Sequence, residues 1–202
     1  SLDDNLWGRS SEGGVIEDPA NVVPDDVFQL VTPPTQAPDT PEDIVLGFRD
    51  GLPISLNGEE LGLVELIQRV AAIACRNGVG IMDNVEDRVV GLKVRDIYEV
   101  PAAEVILNAH KELEKLVFTG RQSRFKASID SQWADLCYEG LWYEPLRTDL
   151  DAFVANASTM VEGEVTVRLY KGSAVVRART SPYALYDKNM ATFDADPTFS
   201  QN

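Results

Sequence analysis

Side chains that most often carry chemistry by themselves are scarce in this 202-residue sequence. It has one histidine, His110, and two cysteines, Cys75 and Cys137, far apart in the chain. These spacings assemble no zinc-ligand set, and no metal site is expected. Both cysteines sit in apolar, helix-like stretches, where a free thiol behaves as a small hydrophobe, so no disulfide framework is expected either. A Ser-His-Asp triad would have to use His110, which lies in a predicted helix and reads as a helix-surface or core histidine. Cations are few as well: 18 Lys and Arg stand against 33 Asp and Glu, giving a formal charge of −15. That balance argues against a nucleic-acid partner, which needs clustered Lys and Arg to neutralise phosphates. No apolar run approaches the roughly 18–20 residues of a membrane span, and no basic-then-apolar signal segment is expected. Arg76-Asn-Gly-Val-Gly80 follows a predicted helix, so it matches neither the P-loop nor the dinucleotide fingerprint. The expectation is a cytoplasmic chain in a reduced setting, with no membrane partner.

What is present is unevenly placed. Residues 1–60 hold 13 acids and two bases, Arg9 and Arg49, and seven of the eleven prolines fall between Pro19 and Pro53. Proline fixes φ and removes a donor, so residues 1–41 are predicted to form an extended, acidic, Pro-rich arm. Trp7, Phe28 and several valines give it apolar material to bury, and docking against another subunit or domain is expected. Residues 42–202 carry the globular signals. Asp50-Gly51 and Lys171-Gly172 mark hairpins over about 44–56 and 164–179. An amphipathic stripe at 63, 66, 67, 70, 71 and 74 predicts a helix over about 63–76, closed by Asn77-Gly78. Further helices are predicted over 102–118 and 130–157, the latter in two pieces that meet near Pro145. Val85 to Val100 reads as a strand. Strands and helices fall in blocks, which favours an α+β fold with a mixed or antiparallel sheet over a doubly wound one.

The densest polar cluster is Gly80-Ile-Met-Asp-Asn-Val-Glu-Asp-Arg88, followed by Lys93, Arg95, Tyr98 and Glu99. A carboxylate such as Glu86 can accept from ammonium or amide N–H groups, and Tyr98 offers a phenol on an apolar body. Composition and pattern alone stop at an acidic α+β domain.

Several segments in order go further. Ser1-Leu-Asp-Asp-Asn-Leu-Trp-Gly-Arg-Ser10, Glu17-Asp-Pro19, Val64-Glu-Leu-Ile67, Gly78-Val-Gly80, Val85-Glu86, Arg88-Val-Val-Gly91 and Lys93-Val-Arg-Asp-Ile-Tyr-Glu99 form one series. Ala109-His110, Gly140-Leu-Trp142, Pro145-Leu146, Leu169-Tyr-Lys-Gly172 and Ser181-Pro-Tyr-Ala-Leu-Tyr186 continue it. The series resembles the C-terminal half of argininosuccinate synthases and spans nearly the whole chain. The resemblance implies an ATP-dependent ligation of citrulline to aspartate through a citrulline adenylate, in arginine biosynthesis. It also implies that ATP, with Mg, and aspartate are held mainly by an N-terminal nucleotide-binding domain not seen here, and that the chain alone is inactive. A C-terminal helix beyond Phe199 would complete a homotetramer. Carried over by position, the citrulline contacts fall on Ser1, Ser10, Glu86 and Tyr98, and no residue is assigned a catalytic role.

The chain departs from the family pattern at Ile81 (usually Arg), Asp87 (Asn), Val94 (Ser), Ala102 (Gly) and Glu144 (Ser). Two alternatives therefore stand beside the ligase reading. One is a diverged paralogue acting on another ureido or amide substrate, and the other is a non-catalytic oligomerisation module.

Overall fold

In the computed structural model, which describes residues 2–188 and 191, the chain forms two antiparallel sheets and four helices, an α+β fold. The larger sheet contains β3 (Glu42–Arg49), β4 (Leu52–Leu56), β5 (Glu59–Glu60), β8 (Gly163–Tyr170) and β9 (Ser173–Thr180), in the order β5-β4-β3-β8-β9. Its strands alternate as a half-buried sheet must. Ile44 pairs with Val167 and Leu46 with Val165, and all four are buried. Against them pack α1 (Leu63–Arg76), through Leu66, Ile67, Val70 and Ala74, and α2 (Pro101–Val117), through Val105, Ala109 and Leu113. The two hairpins close as predicted, with positive φ at both Asp50-Gly51 and Lys171-Gly172. Glycine is required at 51, because a Cβ there would lie 2.8 Å from that of Ser158. His110 sits in this packing, edge-on to Phe48 at 5.8 Å, and burial pushes its imidazole below the ordinary range.

The smaller sheet runs β1 (Leu2–Asn5), β2 (Gly8–Glu12), β7 (Lys93–Glu99) and β6 (Ile81–Asp87), in the order β1-β2-β7-β6. It corrects the reading of 85–100 as one strand. Residues 81–99 are a hairpin whose turn, at 88–92, is closed by Arg88 N–H to the Leu92 carbonyl at 2.8 Å and by Gly91 at φ 82°. The turn carries Val89 and Val90 at its exposed tip, so apolar residues stand where a polar turn signal would have marked it. The helix predicted from residue 130 also starts earlier. Helix α3 spans Gly120–Tyr138, with Thr119 as N-cap accepting from the Gln122 N–H at 3.2 Å, and α4 spans Pro145–Ser158. The first turns of α3 are polar, and its weak apolar stripe left the start unmarked.

The acidic N-terminal stretch packs on its own chain. Residues 2–12 form the β1–β2 hairpin, and β2 pairs with β7. Residues 13–41 then fold back on the same chain, burying Ile16, Val31 and Ala37. Two charged side chains of β7 hold them. Arg95 grips Asp83 with Nε and Nη2, at 2.9 and 2.6 Å, and places Nη1 3.0 Å from the carbonyls of Asp18 and Asn21. Glu99, 1% exposed, accepts from the backbone N–H groups of Gln29, Leu30 and Val31 at 3.0, 2.7 and 2.6 Å. Composition alone does not show where a segment's hydrogen bonds go, and these anchors within the chain were not expected from it.

Removing Glu99 leaves three amides without their acceptor, that of Val31 in a buried setting. Glu99→Ala is expected to lower stability by about 2–4 kcal/mol in urea unfolding and to speed proteolysis within residues 18–41. Wild-type stability with an unchanged cleavage pattern would contradict this anchoring.

Candidate functional site

Strand period two puts alternate residues of the small sheet on opposite faces, and register decides which of them meet. One face carries Arg95, Ile97 and Glu99 and is covered by residues 13–41. The other presents three rows. Asp3, Ser10, Tyr98 and Met82 are aligned across β1, β2, β7 and β6. Glu12, Asp96 and Asn84 form the next row, followed by Val94 and Glu86. Had 81–99 been one extended strand, Glu86 and Tyr98 would stand roughly 40 Å apart. The hairpin brings the Tyr98 hydroxyl 2.9 Å from Glu86 Oε2.

Backbone packing fixes this end of the sheet. Gly8 leads β2 in against the C-terminal end of β7, where a Cβ on it would lie 1.9 Å from the Glu99 carbonyl oxygen. At the other end the Tyr138 hydroxyl of α3 donates to the Asp87 carbonyl at 2.8 Å. Between α3 and the β6–β7 hairpin lies an open cleft of about 460 Å³, lined by Glu86, Asp87, Arg88, Val89, Asp135, Tyr138 and Glu139. Four carboxylates against one guanidinium, itself paired with Glu12 across the sheet, make it an acidic cleft. Such a lining favours cationic or N–H-rich ligands and repels ligands of net negative charge, phosphates above all.

Three of the four sequence-derived contacts, Ser10, Glu86 and Tyr98, share this face, and Ser1 lies outside the described residues. Tyr98 is half-buried, and burial followed by its bond to Glu86 pushes its phenol above the ordinary range. It therefore stays protonated, donates to Glu86 and leaves its oxygen to accept. Asn84, Asp96 and Tyr138 were not anticipated. The first two become visible only once β6 and β7 are paired, because they then fall two residues from Glu86 and Tyr98 on the same face.

Of the departures from the family pattern, only Val94 stands beside Glu86 on this face. By strand parity Ile81 and Asp87 belong to the opposite set, and Asp87, at the turn where it also lines the cleft, pairs with Lys93 at 2.6 Å. Ala102 is fully buried in α2, and Glu144 is the N-cap of α4 without a capping side-chain bond. The glycine-rich turn after α1 offers no phosphate cradle. Its Gly78 and Val79 N–H groups are taken by the Cys75 and Ala74 carbonyls at 3.1 and 2.9 Å.

Asp96 is 6% exposed, and among the described residues its carboxylate has no hydrogen bond or ion pair. Burial first, then the charges of Glu86, Glu12 and Asp3, raise its carboxyl above the usual range, with Arg88 opposing. A raised value in the fold means the ionised form is penalised there. The penalty is complete above the raised value and vanishes below the unfolded value, about 4. Asp96→Asn is therefore expected to gain about 1 kcal/mol at pH 7 and nothing at pH 3 in urea midpoints. A loss of stability at pH 7 would contradict it.

The whole chain, residues 1–202, matches a family model described as the arginosuccinate synthase C-terminal domain. It is 50% identical over 201 residues to the argininosuccinate synthase of Pyrococcus furiosus, covering 100% of this chain and 49% of that protein. It is 51% identical over 202 residues to that of Rubrobacter xylanophilus, with the same coverage, and 47% identical to that of Streptococcus suis, covering 51% of the relative. The chain thus spans about half the length of the curated relatives it matches. With match and identity extending over its full length, the chain belongs to the argininosuccinate synthase family.

Proposed function

We propose that this chain supplies the citrulline-binding surface of an argininosuccinate synthase, the ligase that joins citrulline to aspartate with cleavage of ATP to AMP and pyrophosphate. The observation that carries the reading is the convergence of Ser10, Tyr98 and Glu86 on one sheet face, with Ser10 directly opposite Tyr98 and Tyr98 bonded to Glu86 at 2.9 Å. These are the positions at which the family's citrulline contacts fall, and they come from three different strands. Their chemistry suits a neutral ureido group on an amino acid: a carboxylate takes its N–H donors, and hydroxyl oxygens complete its bonding. The acidic cleft also suits the division of labour within the family. Anionic ATP and aspartate would be repelled here, and with Mg they belong to the N-terminal nucleotide-binding domain. The isolated chain is accordingly inactive, and the working enzyme is a cytoplasmic homotetramer.

The test is Glu86→Ala in the full-length enzyme, read by citrulline-dependent release of pyrophosphate. The expected outcome is a fall in kcat/KM for citrulline of roughly 100-fold, about 2.7 kcal/mol, with the KM for aspartate little changed. Wild-type kinetics would instead favour an assembly module whose site residues are relics.

A further inference from the structure

We propose that Asn84 is a positioning residue for Glu86, fixing which carboxylate oxygen is offered to the ligand; this rests on the reading of Glu86 as a citrulline contact. The two donors that reach Glu86 meet at the same atom. Asn84 Nδ2 and the Tyr98 hydroxyl each lie 2.9 Å from Oε2. Among the described residues Oε1 receives no hydrogen bond, and the side chain lines the open cleft. One oxygen is thus occupied by the protein, and the other is left to accept an N–H of the ligand.

A single bond from Tyr98 would leave the carboxylate free to turn about it. Glutamate has three side-chain torsions, and ordering it on binding costs on the order of 1–2 kcal/mol. A second donor, from another strand and another direction, fixes the carboxylate before the ligand arrives and removes much of that cost. The register makes Asn84 the residue able to do this. It is two positions from Glu86 on β6, on the same face, and it lies directly opposite Asp96. With Asp96, Glu12 and Asp3 also on this face, an unheld Glu86 would turn away from its like-charged neighbours. Asn84 is a neutral donor placed between Glu86 and Asp96. The residues that match the family pattern around it, Val85-Glu86 and Arg88, do not include position 84, which is why the resemblance alone did not single it out.

The experiment is a double-mutant cycle on the full-length enzyme, with wild type, Asn84→Leu, Glu86→Ala and the double variant assayed against citrulline at saturating ATP and aspartate. Leucine keeps the branched shape and removes the donor, and Asn84→Ala repeats the test should the bulkier leucine variant fold poorly. Asn84→Leu is expected to raise the KM for citrulline about tenfold with little change in kcat or in the KM for aspartate. The same change in the Glu86→Ala background is expected to have no effect, and Asn84→Gln is expected to restore part of the loss. An unchanged KM for citrulline in a Glu86-dependent enzyme overturns the positioning role alone. So does an equal effect in both backgrounds, which marks a general structural role. Wild-type kinetics for Glu86→Ala overturn the citrulline reading and this inference with it.

Discussion

A buried carboxylate needs donors, and in this fold the need of Glu99 organises everything around the small sheet. Its charge is met by three successive backbone amides at 29–31. Drawing in those amides pulls a proline-broken stretch with no regular strand across one face of β7. Arg95 repeats the device at the other end of the stretch, reaching carbonyls instead of amides. With that face closed, β2 is held in register on β7, and Ser10 is delivered opposite Tyr98. The arrangement of the open side of the sheet therefore depends on charge satisfaction on the covered side.

The two faces differ in how completely their polar groups are answered. On the covered face Glu99 is met by three backbone amides and Arg95 by the Asp83 carboxylate and backbone carbonyls, and this contributes stability. On the open face, among the described residues, the Asp96 carboxylate has no hydrogen-bond partner and Glu86 has one oxygen unengaged. A face left under-satisfied in this way loses stability and retains capacity to bind. Its negative potential also limits what it can hold, which fits a substrate rich in N–H donors better than one carrying phosphates.

Much of the larger sheet was legible in the sequence. Asp50-Gly51 and Lys171-Gly172 could only be tight turns, and the stripe from Leu66 to Ala74 could only be one helix face against a core. The small sheet was less legible for a physical reason. Its hairpin turns through Arg88-Val-Val-Gly91-Leu92, where two valines occupy positions that a polar turn would normally hold, so periodicity ran on from β6 into β7. Missing that turn hid the pairing of Glu86 with Tyr98, and with it the parts played by Asn84 and Asp96. The order of family segments still pointed to Ser10, Glu86 and Tyr98, because local motifs survive an error in topology. The arm's anchors within the chain, Arg95 and Glu99, were not legible because they lie some 70 residues away in sequence.

The most direct measurement is a crystal structure of the full-length enzyme with citrulline bound. The expected result places a ligand nitrogen within hydrogen-bond distance of Glu86 Oε1, with Tyr98 and Asn84 still on Oε2 and Ser10 on the same side of the ligand. Citrulline bound away from this face, or held by Glu86 only after its bonds to Tyr98 and Asn84 have broken, would contradict it.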